Sequence, residues 1–94
     1  MICKLIKATV PPESTGEFLN RQMVWNAAMA KQPGFLHTRV ATSADEPGVI
    51  YIFVDIESHE ALESFMATKH DPLAAATRID ELYDKLEVKV LDVI

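Results

Sequence analysis

Between Pro33 and Asp55 the chain runs PGFLHTRVATSADEPGVIYIFVD, two β-rich stretches separated by a turn-like segment, Ser43 to Gly48. Both faces of this hairpin carry large side chains. Leu36, Thr38 and Val40 with Ile50, Ile52, Val54 and Ile56 make an almost purely aliphatic face that calls for helices. The other face holds His37, Arg39, Tyr51, Phe53 and Asp55. A register with Arg39 opposite Tyr51, His37 opposite Phe53 and Phe35 opposite Asp55 gathers these side chains into one mixed, aromatic surface. A surface of that kind is not an ordinary solvent face. The chain has 94 residues, enough for a single domain spanning 1–94, and a domain this small buries only ~60–65% of its unfolded surface. It cannot cover both sheet faces, so the second face is predicted to meet a second copy.

The segments around the hairpin support one sheet with helices on one side. Residues 2–10 (ICKLIKATV) alternate as a strand that Pro11-Pro12 ends. Ser14-Thr15-Gly16-Glu17 has capping-box spacing ahead of a helix to about Lys31. Its apolar residues are Phe18, Leu19, Met23, Val24, Ala27, Ala28 and Ala30, with Trp25 added and Gln22 and Asn26 beside the stripe. Ser58 caps the next helix, whose expected buried stripe is Ala61, Leu62, Phe65 and Met66. A break near His70 and an Asp71-Pro72 start predict a third helix over about Pro72 to Asp84. Leu86 to Ile94 closes the chain as a strand. The order β-α-β-β-α-(α)-β is that of an α+β, ferredoxin-like domain with a four-stranded antiparallel sheet. Two such sheets facing each other across a two-fold axis form a dimeric α+β barrel.

Composition narrows the function. Hydrophobic residues make up 49% of the chain, rich for a lone small domain, and the net charge is −5. The nine Lys and Arg are scattered, so the basic footprint of a nucleic-acid binder is missing. No apolar run nears the ~20 residues of a membrane helix, and the opening MICKLIKATVPPE lacks the pattern of a secretion leader. The single cysteine, Cys3, excludes an intrachain disulfide and makes no zinc site alone. These features predict a cytoplasmic protein. His37, His59 and His70 fall on different elements, so no metal site and no cofactor are expected.

Pro33-Gly34-Phe35-Leu36 at a strand start, the Asp45–Gly48 turn and the strand-to-helix passage VDIESHEALESF (54–65) resemble the dimeric α+β barrel superfamily. That group includes antibiotic-biosynthesis monooxygenases and a class of haem-degrading enzymes. Gln22-x-x-Trp25, Gly34-Phe35-Leu36 and Phe65-Met66-x-x-x-His70-Asp71 are similar to an uncharacterised branch of it. The resemblance implies a homodimer and cofactor-independent oxygenation of a small aromatic or apolar molecule. It argues against haem oxygenation. The haem-degrading relatives carry an Asn on the first strand, a Trp where this chain has Ile56, and a His in the stretch matching 75–77. This chain has none of them.

Two readings stand for each candidate residue. His70, beside Asp71, is a general base or a helix-break side chain next to a capping aspartate. Trp25 stacks on a flat ligand or fills the core. Trp25, Thr38, Ile52, Ile56, Phe65 and Tyr83 are candidates to line a ligand pocket under the helices. His37, Arg39, Tyr51, Phe53 and Asp55 are candidates for the dimer interface or, alternatively, for a polar pocket inside it. Three functions fit: a monooxygenase-type enzyme, a non-enzymatic module binding a small apolar or aromatic molecule, and a structural, stress-type dimer.

Overall fold

A computed structural model describes residues 1–94. Its elements are β1 (Ile2–Thr9), α1 (Thr15–Met29), β2 (Phe35–Thr42), β3 (Val49–Ile56), α2 (His59–Thr68), α3 (His70–Thr77) and β4 (Lys85–Asp92), with short 3₁₀ turns at Pro12–Ser14 and Ile79–Glu81. The four strands form one antiparallel sheet in the order β2-β3-β1-β4. This is the ferredoxin-like plan expected from the sequence. The core lies between the helices and one sheet face. Ile2, Ala8, Ile50, Ile52, Val54 and Ile56 come from the strands, and Phe18, Met29, Phe65 and Ile79 from the segments above them.

The hairpin register differs from the expected one. His37 pairs with Asp55, Arg39 with Phe53 and Ala41 with Tyr51, and an irregularity at Leu36 brings Phe35 opposite Ile56. A bulge inserts one residue and reverses the alternation before it. Phe35 therefore joins the helix side, its ring 5.1 Å from that of Phe65, and Leu36 is 57% exposed. Gly34, immediately before the strand, holds φ +83°.

Gly34 is also the tightest approach between the hairpin and α2. A Cβ there would stand 2.7 Å from the Cβ of Ala61. Gly34→Ala combines a left-handed backbone penalty of ~1–2 kcal/mol with a backbone-anchored clash. The expected loss is ~2–4 kcal/mol, a fall in Tm of roughly 10–20 °C at this domain size. Adding Ala61→Gly removes the clash alone and should restore part of the loss in a thermal melt.

Helix details depart from the sequence reading at identifiable points. The capping box does not form: Ser14 ends a 3₁₀ turn and makes no side-chain cap, and the Thr15 hydroxyl donates to the Pro11 carbonyl instead. The consecutive prolines tighten the entry before any box can close. On α1 the inward residues are Phe18, Gln22, Trp25 and Met29, while Met23 and Val24 face out. Ser58 does cap α2, accepting from the Ala61 amide at 3.2 Å. Met66 lies on the exposed side of α2. The third helix begins at His70 rather than Pro72, and Asp71 sits in its first turn without capping it. It stops at Thr77 because Arg78 turns left-handed (φ 51°), so the expected continuation to Asp84 is a 3₁₀ turn and coil.

One sheet face is open along its whole width. Cys3, Leu5 and Lys7 on β1 register with Asp55, Phe53 and Tyr51 on β3 and with Leu91, Lys89 and Glu87 on β4. Tyr51 and Phe53 stack at 6.4 Å, Arg39 lies 5.3 Å over the Phe53 ring, and Lys7 lies 6.0 Å over Tyr51. The helices reach over β1 and β3 but leave β4 exposed on both sides. His59 links the start of α2 to the end of β4, its Nε2 being 2.7 Å from Asp92 Oδ1. No helix is long and apolar enough to cross a membrane.

Candidate functional site

Three segments bring an aromatic cluster together on the helix side of the sheet. Residue 25 falls on the inward face of α1, Phe65 is the one fully buried residue of α2, and His70 opens α3 where the chain turns back. The Trp25 and His70 rings meet edge-on at 5.3 Å, Trp25 and Phe65 at 6.3 Å, and Phe65 and His70 at 6.3 Å and 90°. Phe35 completes the group through Phe65.

Polar groups fix the orientation of two members. A buried indole N–H needs an acceptor. Trp25 Nε1 donates to Thr77 Oγ1 at 2.8 Å, and that hydroxyl donates to the Leu73 carbonyl at 2.8 Å. Thr77 therefore anchors the Trp25 ring from α3. His70 Nδ1 lies 3.0 Å from Asp71 Oδ1. A carboxylate only accepts, so Nδ1 is the donor of this pair, and in the neutral ring the lone pair falls on Nε2. Nε2 makes no hydrogen bond within the chain, and the His70 side chain is 32% exposed. A ring of this kind, held at one nitrogen and free at the other, can take a proton from a bound acid.

Two open grooves flank Phe35 and Phe65. One, of about 400 Å³, runs between α1 and β2 and is lined mainly by Met23, Ala27, Ala30, Phe35, Leu36 and Thr38. The other, of about 290 Å³, lies between the Gln32–Gly34 turn and α2, with Glu57, Glu60, Ser64 and Phe65 on its walls. Neither is lined by Trp25 or His70.

The residues singled out from the sequence separate into four places. Trp25, Phe65 and His70 stand together in the cluster. Thr38 lines the α1–β2 groove. Ile52 and Ile56 are sealed in the core at 1% and 0% exposure, and Tyr83 packs against that core just before β4. His37, Arg39, Tyr51, Phe53 and Asp55 share the open sheet face, with His37 at its rim beside the groove. Phe35 and Thr77 were not among the candidates. The bulge hides Phe35 from a strict alternation count, and no local pattern pairs Thr77 with a Trp 52 residues earlier. Gln22 is buried among the inward residues of α1 and donates to Asn26 Oδ1 at 2.9 Å. No group of three or more His, Cys, Asp or Glu side chains converges as a set of metal ligands.

Electrostatics on the open face centre on Cys3. Burial pushes its thiol up, the Asp55 charge and hydrogen bond add to this, and Arg39 opposes it. The thiol is thus held protonated to higher pH in the folded chain than in the unfolded one. The stability this contributes is complete below the unfolded thiol's range and is lost as pH rises through the folded value. At dilutions where the chain is monomeric, removing the carboxylate with Asp55→Asn should speed iodoacetamide alkylation of Cys3 at mildly alkaline pH by roughly 2–5-fold, because the thiolate is the nucleophile. An unchanged rate would show that Asp55 does not hold the proton there.

Comparison with known proteins now adds family and fold. A family model described as "Domain of unknown function (DUF4937)" matches residues 2–91. No curated protein matches the chain in sequence. Solved structures match throughout. A conserved protein of Methanosarcina mazei Go1 superposes with a TM-score of 0.86 at 19% identity, over 99% of this chain and 92% of that one. SnoaB of Streptomyces nogalater, a cofactor-independent oxygenase, gives 0.83 at 21% identity over 99% and 92%. A Nitrosomonas europaea protein assigned as an antibiotic biosynthesis monooxygenase gives 0.84 at 15% identity over 100% and 99%. At these identities the likeness establishes the fold, which is that of the antibiotic-biosynthesis-monooxygenase-like proteins.

Proposed function

The chain belongs to the DUF4937 family, and on that footing we propose that it is a dimeric, cofactor-independent oxygenase of a small acidic aromatic molecule, with His70 as the base. The observation that carries this reading is the pairing at His70: Nδ1 lies against Asp71 Oδ1, Nε2 makes no hydrogen bond within the chain, and the Trp25 ring meets the imidazole edge-on at 5.3 Å. A phenol or quinol stacked there loses its hydroxyl proton to Nε2. The resulting anion is electron-rich enough to react with dioxygen directly. The substrate supplies all four electrons, so one oxygen atom enters the ring, two substrate hydrogens leave with the other as water, and the product is released as the quinone (a hydroxyquinone from a quinol). The nearest open spaces are the two grooves, which reach the cluster at Phe35 and Phe65, so a ring would have to enter past these side chains. The fold is shared with a cofactor-independent oxygenase, which supports the reaction class by analogy.

Assembly is part of the proposal. The accessible surface of the single chain, 5831 Å², exceeds the ~5,400 Å² that size scaling gives for a monomer of this mass. The open sheet face measures ~26 by ~19 Å in plan. With its side-chain relief that is close to the ~800 Å² per partner of a stable interface. A second copy covers it by sheet-to-sheet packing.

Oxygen consumption with a panel of small quinols tests the enzyme reading. Uptake that depends on a quinol and is lost in His70→Ala supports it. A second reading, binding without turnover, is favoured by the apolar α1–β2 groove. It is the outcome if a quinol quenches Trp25 fluorescence saturably while no oxygen is consumed.

A further inference from the structure

We propose that the helix side of β4 is a binding site for a free aliphatic carboxylate, whose head pairs with Lys4 and whose chain lies along Val90, Val88 and Leu86. This site lies apart from the aromatic cluster and does not depend on the oxygenase reading. Three cations of the chain are partly buried on β1 and α1. Two hold a carboxylate: Lys7 with Glu46 at 3.7 Å and Arg21 with Glu17 at 2.9 Å. Lys4 holds none, and its Nζ meets only the Met66 sulfur, at 3.9 Å. Burial alone lowers the Lys4 ammonium from its usual range. A partly desolvated cation without a counter-charge gains from an incoming anion.

The surroundings specify the rest of that anion. Lys4 faces the helix side and registers with Val90, Ile6 with Val88, and Ala8 with Leu86. Leu86, Val88 and Val90 are 39%, 47% and 44% exposed, and Met66 of α2 stands across from Lys4 at 42%. An apolar strip therefore leads away from the ammonium for ~14 Å along the strand, the reach of a medium-length alkyl chain. The interface proposed for a second copy is on the other side of the sheet, so the strip stays accessible in that assembly. With a net charge of −5, the chain as a whole repels anions, so stoichiometric uptake reports a local cation.

Calorimetric titration of the full chain with decanoate, below its micellar concentration, tests the site. Decyltrimethylammonium supplies the same tail with opposite charge, and acetate the head alone. The expected result is one decanoate per chain, at least ~10-fold weaker binding of the cationic analogue, no acetate binding, and amide shifts in NMR spectra at Ile6, Val88 and Val90. Lys4→Gln should weaken decanoate at least ~10-fold without lowering Tm, and Val88→Asp should abolish binding. Equal binding of both amphiphiles, unchanged affinity in Lys4→Gln, or shifts centred on Phe35 would each overturn the proposal. So would vesicle capture without decanoate binding, which assigns the strip to a membrane surface, or dissociation of the assembly by Val88→Asp, which assigns it to a second copy.

Discussion

Phe53→Arg is expected to leave the chain monomeric at micromolar concentration, where the parent is expected to form the proposed dimer. Phe53 sits near the middle of the open face, between Leu5 on β1 and Arg39 on β2. In the free chain it already lies between the Arg39 guanidinium at 5.3 Å and the Tyr51 ring at 6.4 Å. Burying a Phe side chain contributes ~1.5–3 kcal/mol, and two-fold symmetry counts each substitution twice. Arg at this position also sets a second cation against Arg39 with no added acid to pair it, a cost of several kcal/mol when desolvated. Together these weaken association by at least ~1,000-fold. Because Phe53 points away from the core, the variant should still fold, with helical circular dichroism intact. Sedimentation velocity reads the outcome directly, and an unchanged dimer would place the interface elsewhere.

His70→Ala should lower quinol-dependent oxygen consumption by at least ~100-fold, the usual contribution of a positioned general base. Quinol affinity should change only a few-fold, since the stacking surface in the proposed site is the Trp25 ring. Asp71→Asn is the finer probe. It keeps a hydrogen-bond partner for Nδ1 but removes the carboxylate 3.0 Å from the ring, so a loss of roughly 10-fold in oxygen consumption is expected. The His70 side chain is partly exposed and Asp71 nearly fully so. Neither substitution empties the core, and both proteins should melt near the parent temperature.

The topology was legible because it rests on periodicity. The strand-forming stretches 2–10, 35–42, 49–56 and 86–94 and the Ser58 cap are local properties; the structure puts a strand in each stretch and forms the cap, while the bulge interrupts the alternation of the second and β4 is exposed on both faces. What escaped were features decided by tertiary contact. Gln22 takes an inward position on α1 that a hydrophobicity count gives to Met23 and Val24, because its amide is satisfied by Asn26 four residues on. The bulge at Leu36 and the close approach of Gly34 to Ala61 involve pairings across the fold that no sequence window contains. The same holds for the candidate site. Trp25, Phe65 and His70 were each visible as residue types worth weighing, and the structure brings these three together. Their partners Thr77 and Phe35 are set by the packing of α3 and by the bulge. Ile52 and Ile56, candidates for pocket walls, lie beneath the helices as core.

The open sheet face and the His70 cluster lie on opposite sides of the sheet, so assembly and chemistry can be perturbed separately. Phe53→Arg tests the first and His70→Ala the second. Loss of oxygen uptake in the monomeric variant would add that the dimer holds α1 and α2 in their working positions.

Isotopically labelled dioxygen tests the central claim most directly. Incubated with the protein and a quinol that quenches Trp25, it should deliver one labelled atom to the product ring and one to water, and His70→Ala should lose the labelled product while still binding the quinol. Binding with no labelled product, or label incorporation unchanged in His70→Ala, would contradict the account.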